Sequence, residues 1–382
     1  MSSSDQSSLP IIRLHRGLGL KGRGAGSNAI TRFSQFERSP DTEFLNHLSE
    51  AAPHDLEGEA SGVDNGPRTE VTMTAARSII SRNTSPDLPF DQSINPYQGC
   101  EHGCVYCYAR PTHTRLGLSA GLDFETRLFA KTNAADLLRA ELSRPGYEPG
   151  HMALGANTDP YQPIERKLEI TRQVLKVLAQ FNVPVGITTK SALVSRDVDI
   201  LAPMAAKGLA RVHISIATLD TELARTLEPR APTPARRLEA IARLSNQGIP
   251  VGVFTSPLIP ALNDTEMEHI MTAAQQAGAS SASYVMLRLP LEVRDLFVQW
   301  LRRHAPLRAD HVMSQVRQMR DGKDYDADFR VRMRGTGPYA KMIAQRFKVA
   351  ARRLELNTDR TSMDTSQFRV PGTLGAQADL FD

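Results

Sequence analysis

The 382-residue chain has three cysteines, one tryptophan and only 6% aromatic residues. An odd, small number of thiols excludes the disulfide framework that staples small secreted domains. The chain starts Met-Ser-Ser-Ser-Asp-Gln, without the basic and then apolar stretches of a secretory leader. No apolar run approaches the ~20 residues that cross a bilayer. Together these absences lead to the expectation of a protein of the reducing cytoplasm with no membrane association, where an oxygen-sensitive centre would survive. Charge of one sign is also scarce: the net charge is +4, so the overall balance excludes little about partners. With 41% hydrophobic and 23% charged residues, the chain has enough apolar side chains for a large core.

What the chain does hold is concentrated. Cys100, Cys104 and Cys107 all lie in the stretch 95–110, which reads Asn-Pro-Tyr-Gln-Gly-Cys-Glu-His-Gly-Cys-Val-Tyr-Cys-Tyr-Ala-Arg. Three-and-two spacing lets a short loop wrap three sulfurs around one face of a metal centre, and Gly99 and Gly103 permit the backbone angles the wrap requires. A zinc site would need a fourth ligand, for which His102 and His113 are close in sequence, although structural zinc sites more often use a CxxC pair with a second pair far away. Three thiolates leave a four-iron cluster one ligand short, and an iron without a protein ligand can bind a substrate or cofactor.

The pattern CxxxCxxC, with Tyr106 and Tyr108 on either side of the last cysteine, resembles the signature of the radical S-adenosylmethionine (SAM) enzymes. The resemblance implies a 4Fe-4S cluster on Cys100, Cys104 and Cys107 that chelates SAM and cleaves it reductively to methionine and a 5′-deoxyadenosyl radical. It also implies an electron donor such as flavodoxin or ferredoxin. Tyr106 and Tyr108 are candidates for packing the cluster and for relaying a radical.

Residues 1–66 are rich in Ser, Gly, Asp and Glu, and read as a disordered arm with a basic stretch from Arg13 to Arg32. Small glycines between cations suit an arm lying along phosphates, or equally one lying over the mouth of a barrel. From 67 to 290, short apolar β-branched runs alternate with helices. The strands are expected just before Asn95 and over 152–156, 184–188, 211–216, 250–255 and 282–287. Helices are expected over 133–143, 164–181, 197–206, 221–227, 234–247 and 264–277. This predicts an α/β fold, an open six-stranded parallel (β/α)6 partial TIM barrel, which the resemblance also implies. Residues 291–358 read as a basic helical extension, with helices over 291–304, 308–320 and 339–356, and 359–382 as a flexible tail.

In a parallel barrel the loops after the strands carry function. After the second strand, Asn157, Thr158 and Asp159 open the string Thr-Asp-Pro-Tyr-Gln-Pro-x-Glu, which resembles the spore photoproduct lyase branch of the family. Polar atoms there would accept hydrogen bonds from the SAM ammonium. By resemblance, Lys190 after the third strand would meet the SAM carboxylate, and Glu228 and Arg230 would lie near the cofactor; strand alternation after the fourth turns Ser215 inward, where its hydroxyl would hold the ribose. The apolar residues of 254–260 would cover the adenine, with Asn263 capping the next helix. The extra cysteine that gives a hydrogen atom to the product radical in spore photoproduct lyases has no counterpart, so repair of that lesion by that route is not expected.

Between 288 and 360 stand 17 Lys or Arg against 9 Asp or Glu, a segregation that suits a polyanion. The chain ends Gln377-Ala-Asp-Leu380-Phe381-Asp, similar to the short motif by which bacterial repair proteins dock on the DNA sliding clamp. The leading expectation is a radical SAM enzyme acting on nucleic acid, DNA first. The alternatives are radical chemistry on a small molecule or peptide, and a non-catalytic metal-binding interaction module.

Overall fold

The structure, a computed structural model, describes residues 22–28, 32–33, 68–358 and 363–371. Most of the expected N-terminal arm, and the clamp-like Gln377, Leu380 and Phe381, lie outside the described residues. Ten strands are described, β1 (Glu70–Thr74), β2 (Ile80–Arg82), β3 (Gln92–Ile94), β4 (Tyr97–Gln98), β5 (Arg127–Lys131), β6 (Met152–Leu154), β7 (Val185–Thr189), β8 (Ala210–Ser215), β9 (Val251–Leu258) and β10 (Ser281–Met286).

The main sheet has the order β10-β9-β8-β7-β6-β3-β2. From β3 to β10 its neighbours pair in parallel, and β2 adds an antiparallel edge. Alternation sets the faces: Val185, Ile187, Val212, Ile214, Val251 and Val253 are buried. Burial of such β-branched side chains contributes about 1.5–3 kcal/mol each, enough to fix the register against a one-residue slip. Parallel pairing in turn puts the C-terminal strand ends side by side. At the opposite end of the strands, residues 363–371, expected as part of a flexible tail, are tied down where Asp364 N donates to Gly208 O and Arg369 N to Phe181 O.

A second, three-stranded sheet, β1-β5-β4, was not expected from the sequence. Its middle strand, Arg-Leu-Phe-Ala-Lys, is too short to show a period by itself, and β4 consists of two residues. The helix expected over 164–181 is divided into Glu165–Leu168 and Ile170–Gln180, with Glu169 at φ 51° between them. The break has a cause: the Glu165 carboxylate turns back to accept from the amides of Thr171 (3.0 Å) and Arg172 (3.3 Å), capping the second piece. Helix Glu292–His304 buries Val293, Phe297, Trp300 and Leu301 in one apolar cluster with Val105 and Tyr106 of the cysteine loop. Among the described residues, no helix is long and apolar enough to cross a membrane.

Candidate metal centre and cofactor site

The cysteine loop leaves β4 and is shaped by two left-handed glycines, Gly99 (φ 77°) and Gly103 (φ 67°). A side chain at Gly99 would also lie 2.6 Å from Leu128 Cδ2, so both conformation and space require glycine there. Gly103 N donates to Cys100 O, Cys107 N to Cys104 O (3.2 Å), and Arg110 N to Cys107 O (3.2 Å). A tight turn thus follows each cysteine, curling one short segment around a common point. Cys100 and Cys104 are buried and Cys107 is half-buried.

Burial pushes the Cys104 thiol up to about 12, against the pull of Lys190 and Arg237. Burial, then the charges of Asp159 and the other two cysteines, push Cys100 well above the ordinary thiol value. A thiol in such surroundings stays protonated unless a metal takes the proton's place. Three soft ligands on one turn-rich loop, buried and with cations beside them, fit an iron-sulfur group of net negative charge. Among the described residues, no group of three or more His, Cys, Asp or Glu that could hold a metal ion stands together. His113, one candidate zinc ligand, is engaged elsewhere: its Nε2 lies 2.8 Å from Arg127 O and its ring packs edge-on against Phe124.

The loop after β6 is hydrogen-bonded to the cysteine loop and to neighbouring strand ends. Thr158 Oγ1 donates to Tyr97 O (3.0 Å). Asp159 Oδ1 accepts from Thr189 Oγ1 (2.6 Å) and Tyr161 N (2.9 Å), while Oδ2 accepts from Lys190 N (2.8 Å) and lies 3.3 Å from His102 Nδ1. Burial alone would raise Asp159, but His102 and these donors outweigh it and hold the carboxyl down at about 2. Three hydrogen bonds thus converge on the two oxygens of Asp159, with the His102 ring beside them. Gln162 accepts from Glu101 N (2.9 Å) and donates to Gly99 O (3.1 Å). Glu165 accepts from Tyr97 OH and from Arg196 Nη2 (2.7 Å). Thr158, Asp159, Gln162 and Glu165 are therefore a brace that ties the cysteine loop to three strand ends. In the same loop Asn157 N donates to Asn95 Oδ1 (3.1 Å), and the Asn157 side chain is half-buried.

Behind Cys104 stands a buried charged group. Glu228 accepts from Tyr106 OH and from Arg237 Nη2, and Lys190 Nζ lies 5.8 Å from the centroid of the Tyr106 ring. Burial raises the Glu228 carboxyl, but Arg237 and Lys190 overcome it and keep it below its ordinary value. Lys190, lowered by burial and raised more by Cys104 and Glu228, stays a cation. Arg230 N donates to His102 O (3.2 Å), and its guanidinium lies 3.3 Å from Glu101 Oε1, so Arg230 also grips the cysteine loop. Ser215 Oγ is buried and donates to Ser256 O (3.2 Å). Asn263, expected as a helix cap, instead donates to Ala217 O (2.7 Å) and Pro257 O (3.0 Å) and accepts from Ile259 N, joining the ends of β8 and β9.

Tyr106 is buried, whereas Tyr108 is 43% exposed with its hydroxyl donating to Ala156 O. The Arg288 guanidinium, at the end of β10, lies 4.8 Å over the Tyr108 ring. In the segment whose Met333 O accepts from Met286 N of β10, Arg332 lies 4.5 Å over Phe329, itself 44% exposed, and is paired with Asp87 at 2.6 Å. Sequence reasoning missed Arg237 and Arg288, and also the Arg110–Glu125 pair at 2.5 Å, whose side chains are fully buried. A charged residue in a strand-helix alternation gives no sign of whether it faces water, and only Arg110, at the end of the cysteine stretch, stood where it could have been suspected.

Residues 94–274 match the family model for the Radical SAM superfamily. An uncharacterized protein of Mycobacterium tuberculosis is 38% identical over 221 residues, 57% of this chain and 65% of its own length. The chain thus spans less than two thirds of that relative. An uncharacterized protein of Methanocaldococcus jannaschii is 31% identical over 199 residues, 52% of this chain and 71% of its own. Among solved structures, a spore photoproduct lyase mutant aligns over 82% of this chain and 91% of that one, with a TM-score of 0.51 at 14% identity, a likeness of fold alone. With the cysteine loop placed after the first parallel strand and these matches around it, the chain belongs to the radical SAM superfamily of enzymes.

Proposed function

We propose that the protein holds a 4Fe-4S cluster on Cys100, Cys104 and Cys107, binds SAM beside it, and abstracts hydrogen from a nucleic acid, with DNA as the first substrate to test. When bound, such a cluster supplies the electron that splits SAM into methionine and a 5′-deoxyadenosyl radical. The protein's own residues do the rest. Lys190 offers a cation to the SAM carboxylate, Asn157 has a side chain available to the ammonium, and Tyr106 with Val105 keeps water away from the sulfurs.

The observation that carries the reading is the pairing of the three cysteines of one loop, two of them buried, with the cation-rich Lys190–Glu228–Arg237 group beside Cys104. The nucleic-acid part is supported by the cation-aromatic pairs Arg288–Tyr108 and Arg332–Phe329, two of whose rings are exposed, in a segment with a surplus of cations. Exposed rings of this kind can stack on the bases of a single strand, with Arg288 as the cation beside one of them, while Arg332 is held by Asp87. The likeness to the spore photoproduct lyase branch favours the same substrate class.

Anaerobic reaction with SAM, a reductant and an oligonucleotide deuterated at its sugars and thymine methyls is the test. Label appearing in 5′-deoxyadenosine supports the proposal. Cleavage of SAM that never takes label from any oligonucleotide, with binding that does not weaken as salt is raised, would remove nucleic acid as substrate.

A further inference from the structure

The arm residues 22–28 are built against the back of the cysteine loop. The Glu125 carboxylate accepts from Gly24 N (3.0 Å) through Oε2 and from Ala25 N (2.8 Å) through Oε1. Arg23 Nη1 donates to Glu125 O (2.9 Å) and its Nη2 to Thr69 Oγ1 (3.1 Å). Further along, Leu122 N donates to Ser27 O, and Asn28 and Asp123 exchange two hydrogen bonds of 2.9 and 3.0 Å. Ala25 is 2% exposed. The approach is as close as backbone allows: a Cβ on Gly24 would sit 1.8 Å from Gly103 O, and one on Gly121 would sit 2.1 Å from Ser27 O.

The same carboxylate continues inward. Glu125 Oε1 also accepts from Arg110 Nη2 (2.5 Å), and Arg110 spends its remaining donors on the loop backbone: Nε on Cys104 O (2.9 Å), Nη2 on Gly103 O (3.2 Å) and Nη1 on Ala120 O and Gly121 O. Arg110 and Glu125 are both fully buried. Without the strap, Glu125 would lose two backbone donors and one face of the Gly103–Cys104 turn would be bared to water.

We propose that residues 23–25 are a clasp that completes the cluster-binding loop, acting through Glu125 and Arg110 to fix the carbonyls of Gly103 and Cys104 and to keep water and oxygen from that side of the sulfurs. They are positioning residues and touch neither metal nor substrate. The clasp rests on the cluster reading above, and it converts a glycine-flanked basic stretch from a free arm into part of the site. Glycine at 24 follows from the geometry, since no other residue allows this contact.

The test uses the full-length protein and two variants, Gly24→Val, which pushes the clasp off without altering the rest of the chain, and the milder Arg23→Ala. Each is reconstituted anaerobically and read by iron and sulfide content, by the low-temperature EPR signal of the reduced cluster, and by the rate of bleaching in air; thermal unfolding of the metal-free proteins monitors the fold. The expected result is a metal-free Gly24→Val that still unfolds cooperatively, at a somewhat lower temperature, with bleaching faster by about tenfold, a smaller acceleration in Arg23→Ala and an altered EPR line shape. Equal bleaching rates and identical EPR spectra in all three proteins would overturn the clasp. If the unaltered protein itself takes up no iron, the cluster reading fails instead, and the two failures are told apart by that first measurement.

Discussion

The loops after the first and second parallel strands make an instructive pair. The first carries all three sulfurs and hardly holds itself: its turns close on single hydrogen bonds, and its shape comes from Gly99 and Gly103. The second carries none of them, yet its Thr158, Gln162 and Glu165 are buried and its Asp159 half-buried, with polar atoms directed at Tyr97, Thr189, Lys190, Glu101, Gly99 and Arg196. On the proposed reading, ligation and support are divided between neighbouring loops. A string of polar residues beside a metal site need not touch the cofactor to be required by it, because a ligand loop with little internal structure must borrow its rigidity.

The division can be broken from either side, and the effects should fall in order. Serine at Cys104 removes a sulfur from the first loop and should abolish iron uptake to full stoichiometry and SAM cleavage, measured by iron assay and by 5′-deoxyadenosine formation, with unfolding little changed. Glu165→Ala strikes the second loop. It leaves Tyr97, the Thr171 amide and Arg196 without their common acceptor, so it should cost about 3–5 kcal/mol of stability in a denaturant titration and lower cluster content with it.

A smaller effect is expected where the two loops share a neighbour. Lys190→Ala should leave the cluster in place and weaken SAM binding about tenfold, the worth of one charge-assisted contact, as read by calorimetry under anaerobic conditions. An unchanged affinity would take Lys190 out of the cofactor site and leave its backbone amide, held by Asp159, as its contribution.

The smallest effect belongs to a control position in the middle of β8, away from both loops. Burial, then Arg211, lowers His213 to about 4, from an ordinary 6.5. The unfolded chain therefore takes up this proton first, so the stability that His213 contributes is complete above about 6.5 and declines as the pH falls toward 4. His213→Phe should flatten the melting temperature over that window while leaving iron content and SAM affinity alone. A loss of cluster in this variant would blur the distinction between the sheet and the two loops.

Much of this was legible in the sequence. The parallel strands of the main sheet announce themselves because each is an apolar β-branched run between helices, and the cysteine loop because a scarce residue is used three times in one place. The small sheet was not legible, because β4 and β5 have no period of their own and pair only once the chain has folded. Nor was the role of Asp159, since a carboxylate at a strand end reads the same whether it faces a ligand or a neighbouring loop's amide. The clasp was half legible: the glycine-cation stretch around Arg23 allowed an arm over the barrel mouth, but nothing in it pointed to Glu125, a hundred residues away and buried in a short helix.

The central claim is that three cysteines on one loop hold an iron-sulfur cluster that activates SAM. Anaerobic reconstitution followed by iron analysis, EPR of the dithionite-reduced protein and a SAM-cleavage assay tests it most directly. The account predicts a brown protein with about four irons per chain and formation of 5′-deoxyadenosine upon reduction, both lost in Cys104→Ser. A colourless, well-folded protein holding one equivalent of zinc, and inert toward SAM, would contradict it.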